Sequence, residues 1–122
     1  MKLNPDCVRD LLLLTEKETG YNKFLLVDKS NCAHLLPKYS ENEILYHIIQ
    51  CQNFNFIKIK ESLGRFTILD LAPKGHIFLE NIRSNDNWSA TKKVASKIGS
   101  FSLDLLTNIA ASITAALVSK NL

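Results

Sequence analysis

Cysteine and glycine are scarce in this chain, and each scarcity closes off a class of protein. The three cysteines, Cys7, Cys32 and Cys51, are odd in number, widely spaced and free of any C-x-x-C pair. That pattern excludes a disulfide framework and a zinc ribbon, and it fits a reducing cytoplasm. The four glycines form no phosphate-cradling loop. No Ser or Cys stands with a credible base and an oxyanion loop, so no enzyme and no cofactor are expected. A strong charge of either sign is missing too: 15 Lys and Arg against 12 Asp and Glu leave +3, which permits DNA binding without arguing for it. The start of the chain lacks a long apolar run behind a basic residue, because Asp6, Arg9 and Asp10 interrupt it. An export signal is therefore not expected, and the protein reads as cytoplasmic.

What is present suits one small globular domain. A hydrophobic fraction of 46% with 22% charged residues in 122 positions rules out wholesale disorder and allows a core without staples. Asn4-Pro5-Asp6 starts a helix, with Asn as N-cap, Pro at the first helical position and an acid near the positive end of the dipole. Val8, Leu11, Leu12 and Thr15 then share a face, Leu13 and Leu14 widen it, and Gly20 is placed to stop the helix in a left-handed cap. Residues 24–27 are short, apolar and β-favouring, followed by turn formers. Residues 32–38 hold a turn and too little for a full helix.

The organising stretch is 40–83. Ser40-Glu41-Asn42-Glu43 is a capping box in which Glu43 would reach back to the Ser40 amide. At 100° per residue, Ile44, Leu45, Ile48, Ile49 and Cys51 form an apolar face, and Asn42, Glu43, Tyr46, Gln50 and Asn53 lie outside it. Residues 54–60 alternate as a strand, 62–65 make a tight connection, and 66–71 return. Pro73 opens the next helix, where Gly75 allows close approach to the sheet and Phe78, Leu79 and Ile82 supply the buried stripe. Asp86 is a cap for a helix bearing Trp88, Val94, Ala95 and Ile98, and Gly99 ends it. Helix, hairpin and helix in that order suggest the second half of a winged helix. The fold class expected is α+β, mostly helical, with a small antiparallel sheet and additional C-terminal helices.

Residues 100–120 are apolar around most of a helix, with no charge between Asp104 and Lys120. Such a helix needs burial on several sides. Its Thr107, Asn108, Ser112 and Thr114 make it a poor membrane span, and self-association into a homodimer through Phe101, Leu105, Leu106, Ile109, Ile113 and Leu117 is the expectation, with no membrane contact. The chain thus divides into a winged-helix-like domain over 1–99 and a C-terminal self-association helix over 100–122.

Several motifs together resemble a family of small proteins encoded by bacterial phages and prophages, a domain of unknown function with a winged-helix-like pattern. They are Asn4-Pro5-Asp6 with Arg9-Asp10-Leu11-Leu12, Tyr39-Ser40 with Tyr46-His47-Ile48, Leu71-Ala72-Pro73-Lys74-Gly75-His76 with Phe78-Leu79 and Ile82-Arg83, and Trp88 with Thr91-Lys92. The resemblance runs to about Gly99 and implies a phage origin, a bacterial host cytoplasm and a winged-helix fold, with no established activity. Two departures stand out. Ala72 occupies a position where the family pattern has a capping Thr, a loss of about 1 kcal/mol. The leucine-rich end of the central helix is replaced by Gln50-Cys51-Gln52-Asn53-Phe54-Asn55.

A metal site from Cys32, His34, His47 and Cys51 is permitted by spacing, but a small core cysteine and a hydrogen-bonded histidine are the better reading. His76, Arg83 and Trp88 read as structural, with Arg83 pairing across helices. Two functions remain. The first is a non-catalytic protein-interaction module that binds a host or phage protein. The second is a winged-helix transcriptional regulator presenting Asn42, Tyr46, Gln50 and Asn53 to duplex DNA, with Lys58, Lys60 and Arg65 on its phosphates. The uncharged helix face and the acids Glu41 and Glu43 at its start favour the first.

Overall fold

Capping residues set most of the element boundaries in the computed structural model, which describes all 122 residues. Six helices and three strands follow one another as α1 (Pro5–Glu18), β1 (Leu25–Val27), α2 (Cys32–Leu35), α3 (Glu41–Asn53), β2 (Ile57–Ser62), β3 (Arg65–Leu71), α4 (Pro73–Ile82), α5 (Asn85–Ile98) and α6 (Leu103–Lys120). The protein is a mostly helical α+β structure with a small antiparallel sheet, ordered β1-β3-β2. It forms two compact units, Met1–His76 and Ile77–Leu122.

In the first unit the Asn4 side chain accepts from the Asp6 and Cys7 amides, satisfying two of the orphan N–H groups that start α1. Cys7, Val8, Leu11, Leu12 and Thr15 are buried, and α1 packs on α3 and β3. Leu13 and Leu14 are half-buried. The helix ends at Thr19 in extended backbone, not at a left-handed Gly20. Gly20 instead bridges Lys23, which reverses the chain towards β1. Strand β1 pairs antiparallel with β3, Leu25 opposite Ile68 and Val27 opposite Phe66. One turn of helix, α2, fills part of the 32–38 segment.

Helix α3 is capped by Ser40 Oγ, which accepts from the Glu43 amide at 3.1 Å. The reciprocal half of the expected capping box does not form. Glu43 Oε2 accepts from Asn4 Nδ2 at 3.1 Å, so the acid ties α3 to the start of α1. Asn55 turns the chain with φ 63°, so the strand begins at Ile57 rather than at Phe54. Strands β2 and β3 pair from Ile57↔Leu71 to Ser62↔Arg65, with an irregularity at Lys58/Ile59. Gly75, in the first turn of α4, lies against the Phe56 backbone so closely that a Cβ there would overlap the Phe56 carbonyl oxygen. This is the close approach expected of that glycine.

In the second unit Phe78, Leu79, Ile82, Trp88, Ala95, Leu106 and Ala110 are buried. Phe78 and Trp88 meet edge to face at 6.5 Å. Ser84, not Asp86, is the N-cap of α5, accepting from the Asn87 amide at 3.0 Å. Asp86 falls in the first turn, where it complements the dipole. Of the apolar residues on α5, Trp88 and Ala95 are buried and Val94 and Ile98 are exposed. Gly99 ends α5 with φ 88°. Arg83 pairs with Glu80 of α4 at 2.7 Å. Helix α6 packs on α5.

Candidate functional site

Three places have the chemistry or exposure for function: the outer face of α3, the tip of the β2–β3 hairpin, and the α5–α6 face of the second unit. They differ in how far the side chains are free to act.

On α3, Asn42 and Asn53 are exposed and Tyr46 and Gln50 are half-buried, as a presented polar face requires. Two details weaken that face as a reader of bases. Ile49, placed on the apolar side by periodicity, is 39% exposed, and Glu41 and Glu43 sit at the end where phosphates would approach. The buried side of the helix is Ile44, His47, Ile48 and Cys51. His47 is fully buried, and both of its nitrogens are committed. The Asn4 amide donates to Nε2 at 2.8 Å, and Nδ1 lies 2.7 Å from the Glu43 carbonyl oxygen. A carbonyl can only accept and an amide can only donate, so the proton sits on Nδ1 and the ring is neutral. With no nitrogen to spare, His47 cannot join Cys32, His34 and Cys51 around a metal, and no three such ligands gather anywhere in the chain.

All three cysteines are buried thiols. Burial, helped by the Glu43 and Asp10 carboxylates, pushes Cys7 up to about 12, and burial pushes Cys51 up as well. The Tyr39 hydroxyl donates to Asp10 Oδ2 at 2.6 Å. Burial and the facing carboxylate raise its pKa in turn. Each of these groups is held neutral by the fold more strongly than by water. The unfolded chain therefore ionises first, and stability falls as pH climbs above the free thiol value of 9.0 towards the folded value. The expected outcome is a urea midpoint that drops steadily above about pH 9, with no cysteine reacting with a thiol reagent at pH 8 until denaturant is added.

At the hairpin tip, Leu63 and Gly64 form a two-residue turn with φ 53° and 76°. The primed geometry suits the twist of the strands and normally takes Asn or Gly at both positions. The other non-glycine residues with positive φ are Asn22 and Asn55, which tolerate it. Leucine does not, and holding it there costs about 1 kcal/mol. Its side chain is 100% exposed, so no packing offsets that cost. Lys58, Lys60 and Arg65 are exposed on the strands behind it. A cleft of about 490 Å³ beside the turn is lined by Asp28, Lys29, Ser30, Leu63, Gly64 and Arg65. Nothing about Leu63 stood out in the sequence, because leucine is not a turn former and its φ is invisible there.

In the second unit the six residues expected to self-associate divide. Leu106 is fully buried and unavailable to a second copy, Ile109 is buried, Leu105 and Ile113 are half-buried, and Phe101 and Leu117 are exposed. Periodicity had spread the apolar residues around α6 without saying which side the rest of the chain would cover. The exposed set gains Val94, Ile98 and Val118. Val94 joins Asn108, Ile109, Ser112, Ile113 and Ala116 around an apolar groove of about 390 Å³. By length and composition α6 could also cross a membrane.

Residues 2–102 match the model of a family described as hypothetical protein, DUF2513. The chain belongs to the DUF2513 family. No curated protein and no solved structure matches it. The DUF2513 match covers α1 to α5, hairpin included, and stops just before α6, so the whole of that apolar helix lies beyond it.

Proposed function

We propose that the protein is a small phage or prophage accessory protein that acts, without catalysis, as a protein-interaction module in the bacterial cytoplasm. Its scaffold is winged-helix-like: α3, the β2–β3 hairpin and α4 follow in that order, and β1 completes the sheet. The observation that carries this reading is the uncovered apolar face of the second unit. Leu117 is 42% and Val118 54% exposed, Ile98 and Phe101 are exposed at the α5–α6 connection, and no charge lies between Asp104 and Lys120. Val94, Ile109, Ile113 and Ala116 line one apolar groove in the same unit, and exposed apolar surface of this type marks an interface. A second copy offers the same face in return, as an isologous dimer requires.

Light scattering coupled to gel filtration tests this. The wild type is expected to elute as a dimer, and Leu117→Glu as a monomer with unchanged helicity, since a charge on each copy would be buried in the contact. A wild-type monomer at all concentrations, or a dimer untouched by Leu117→Glu, would remove the basis for the reading. The DNA-regulator reading takes support from the cations of the hairpin, and little from α3, whose outward face mixes Ile49 with amides.

A further inference from the structure

We propose that α6 pairs with α6 of a second copy, antiparallel along the row Asp104, Asn108, Ser112, Ala116 and Lys120, with the two-fold axis at Ser112 and each Asp104 beside the partner's Lys120. The pairing rests on the self-association argued above and gives it an orientation and a register.

The starting point is how little of α6 the chain covers. Its buried residues are Leu103, Leu106, Ile109 and Ala110, and no residue from Ala111 onward is buried. Residues four apart lie one above the other on a helix, and the row from Asp104 to Lys120 is exposed at every step. Its middle three residues, Asn108, Ser112 and Ala116, line the apolar groove, together with Val94, Ile109 and Ile113. Ser112 and Ala116 are small enough to let a second backbone approach, and rows of this spacing are the ones that crossing helices most often pack together.

The charges say which helix suits the groove. Asp104 and Lys120 are the only charged residues on α6, one in its first turn and one in its last. Both are exposed, and neither forms an ion pair within the chain. Their signs suit the dipole of their own helix. The same placement makes α6 its own complement once reversed. Turned about Ser112, position 104 falls opposite 120, 108 opposite 116, and 112 opposite itself, so an Asp–Lys pair closes each end. A parallel pair would instead set like charges side by side at both ends.

Other helices fit less well. Between Asp104 and Lys120 there is no charge, so a foreign segment with an acid or a base in its middle would bury it without a counter-charge. Lys93 and Lys97 of α5 are exposed but line no part of the groove. Leu117 stands in the adjoining row with Leu105 and Ile113, which places Leu117→Glu at the edge of this contact.

The test joins light scattering on the full chain with disulfide trapping. The three native cysteines are buried, so an introduced surface cysteine is the one that diamide oxidises. Ser112→Cys is expected to trap a covalent dimer. Asn108→Cys and Ala116→Cys are each expected to stay unlinked alone, because like positions lie about 12 Å apart along the antiparallel pair, and to link when the two variants are mixed. Lys120→Glu and Asp104→Lys are each expected to weaken the dimer about 10-fold at low salt, and the double exchange to return to within about 2-fold of wild type. These differences are expected to vanish in about 1 M salt. A wild-type monomer overturns this pairing together with the self-association beneath it. A dimer in which Ser112→Cys does not link, Asn108→Cys links to itself, or the double exchange is no tighter than either single change overturns the pairing alone.

Discussion

Gly75→Ala is expected to destabilise the protein by about 3 kcal/mol or more, the largest effect of any single-methyl change in the chain. The added Cβ would overlap the Phe56 carbonyl oxygen, with the Phe56 carbonyl carbon and Cα close behind, and all three are backbone atoms that no rotamer change can move. Nor is the Phe56 backbone free to give way. Its carbonyl accepts the Ala72 amide at 2.8 Å, its amide donates to the Cys51 carbonyl at 2.8 Å, and its ring is fully buried. Overpacking of a tight contact costs about 1–3 kcal/mol, and displacing the carbonyl adds a broken buried hydrogen bond. Gly20→Ala is the control. No atom lies within 4 Å of a Cβ at position 20 and its φ is negative, so it is expected to be neutral or stabilising by about 0.5 kcal/mol. Urea unfolding of the two variants against wild type checks both, and a Gly75→Ala midpoint within error of wild type would mean that helix and strand entry do not meet as closely as described.

That contact was readable from the sequence, and the reason is instructive. Signals that act within one or two turns survive without the rest of the fold. Asn4 with Pro5, Ser40, the hairpin around Gly64, Pro73 and Gly99 all sit where their local chemistry puts them. The readings that failed needed a partner from elsewhere. Glu43 has the spacing for a capping box, yet the Asn4 amide of a helix 39 residues away takes its carboxylate. Ser84 and Asp86 are both able caps, and only the backbone path selects Ser84. Ile49 is apolar at a plausible helical position but falls on a side that other elements leave open. The candidate sites show the same limit in sharper form. The hairpin cations were visible because alternation fixes the face of a strand. The apolar residues of α6 could not be sorted into covered and uncovered, since a helix apolar all round carries no phase. Leu63, the residue with the most unusual setting in the first unit, left no trace in composition or spacing.

His47→Ala is expected to cost about 3 kcal/mol, because this buried ring is the joint between the starts of α1 and the first turns of α3. Asn4 makes every contact available to it there: its carbonyl oxygen Oδ1 accepts from the Asp6 and Cys7 amides, its Nδ2 donates to Glu43, and its own amide donates to His47 Nε2. Removing the ring leaves the Asn4 amide without an acceptor, at about 1–3 kcal/mol for an orphaned buried donor, and opens a void beside Ile44 and Ile48. His47→Gln can return an acceptor and is expected to recover part of the loss, whereas His47→Leu fills the space and recovers none of the hydrogen bond. Asn4→Ala, which removes the cap and the Glu43 contact, is expected to cost about 1–2 kcal/mol alone. Since the two residues share one network, the double variant should lose less than the two single losses added, by 0.5 kcal/mol or more. Nitrogen NMR of the imidazole supplies an independent check, with the proton expected on Nδ1. A ring protonated on Nε2, or strictly additive losses in the cycle, would show that α1 and α3 are not joined through His47.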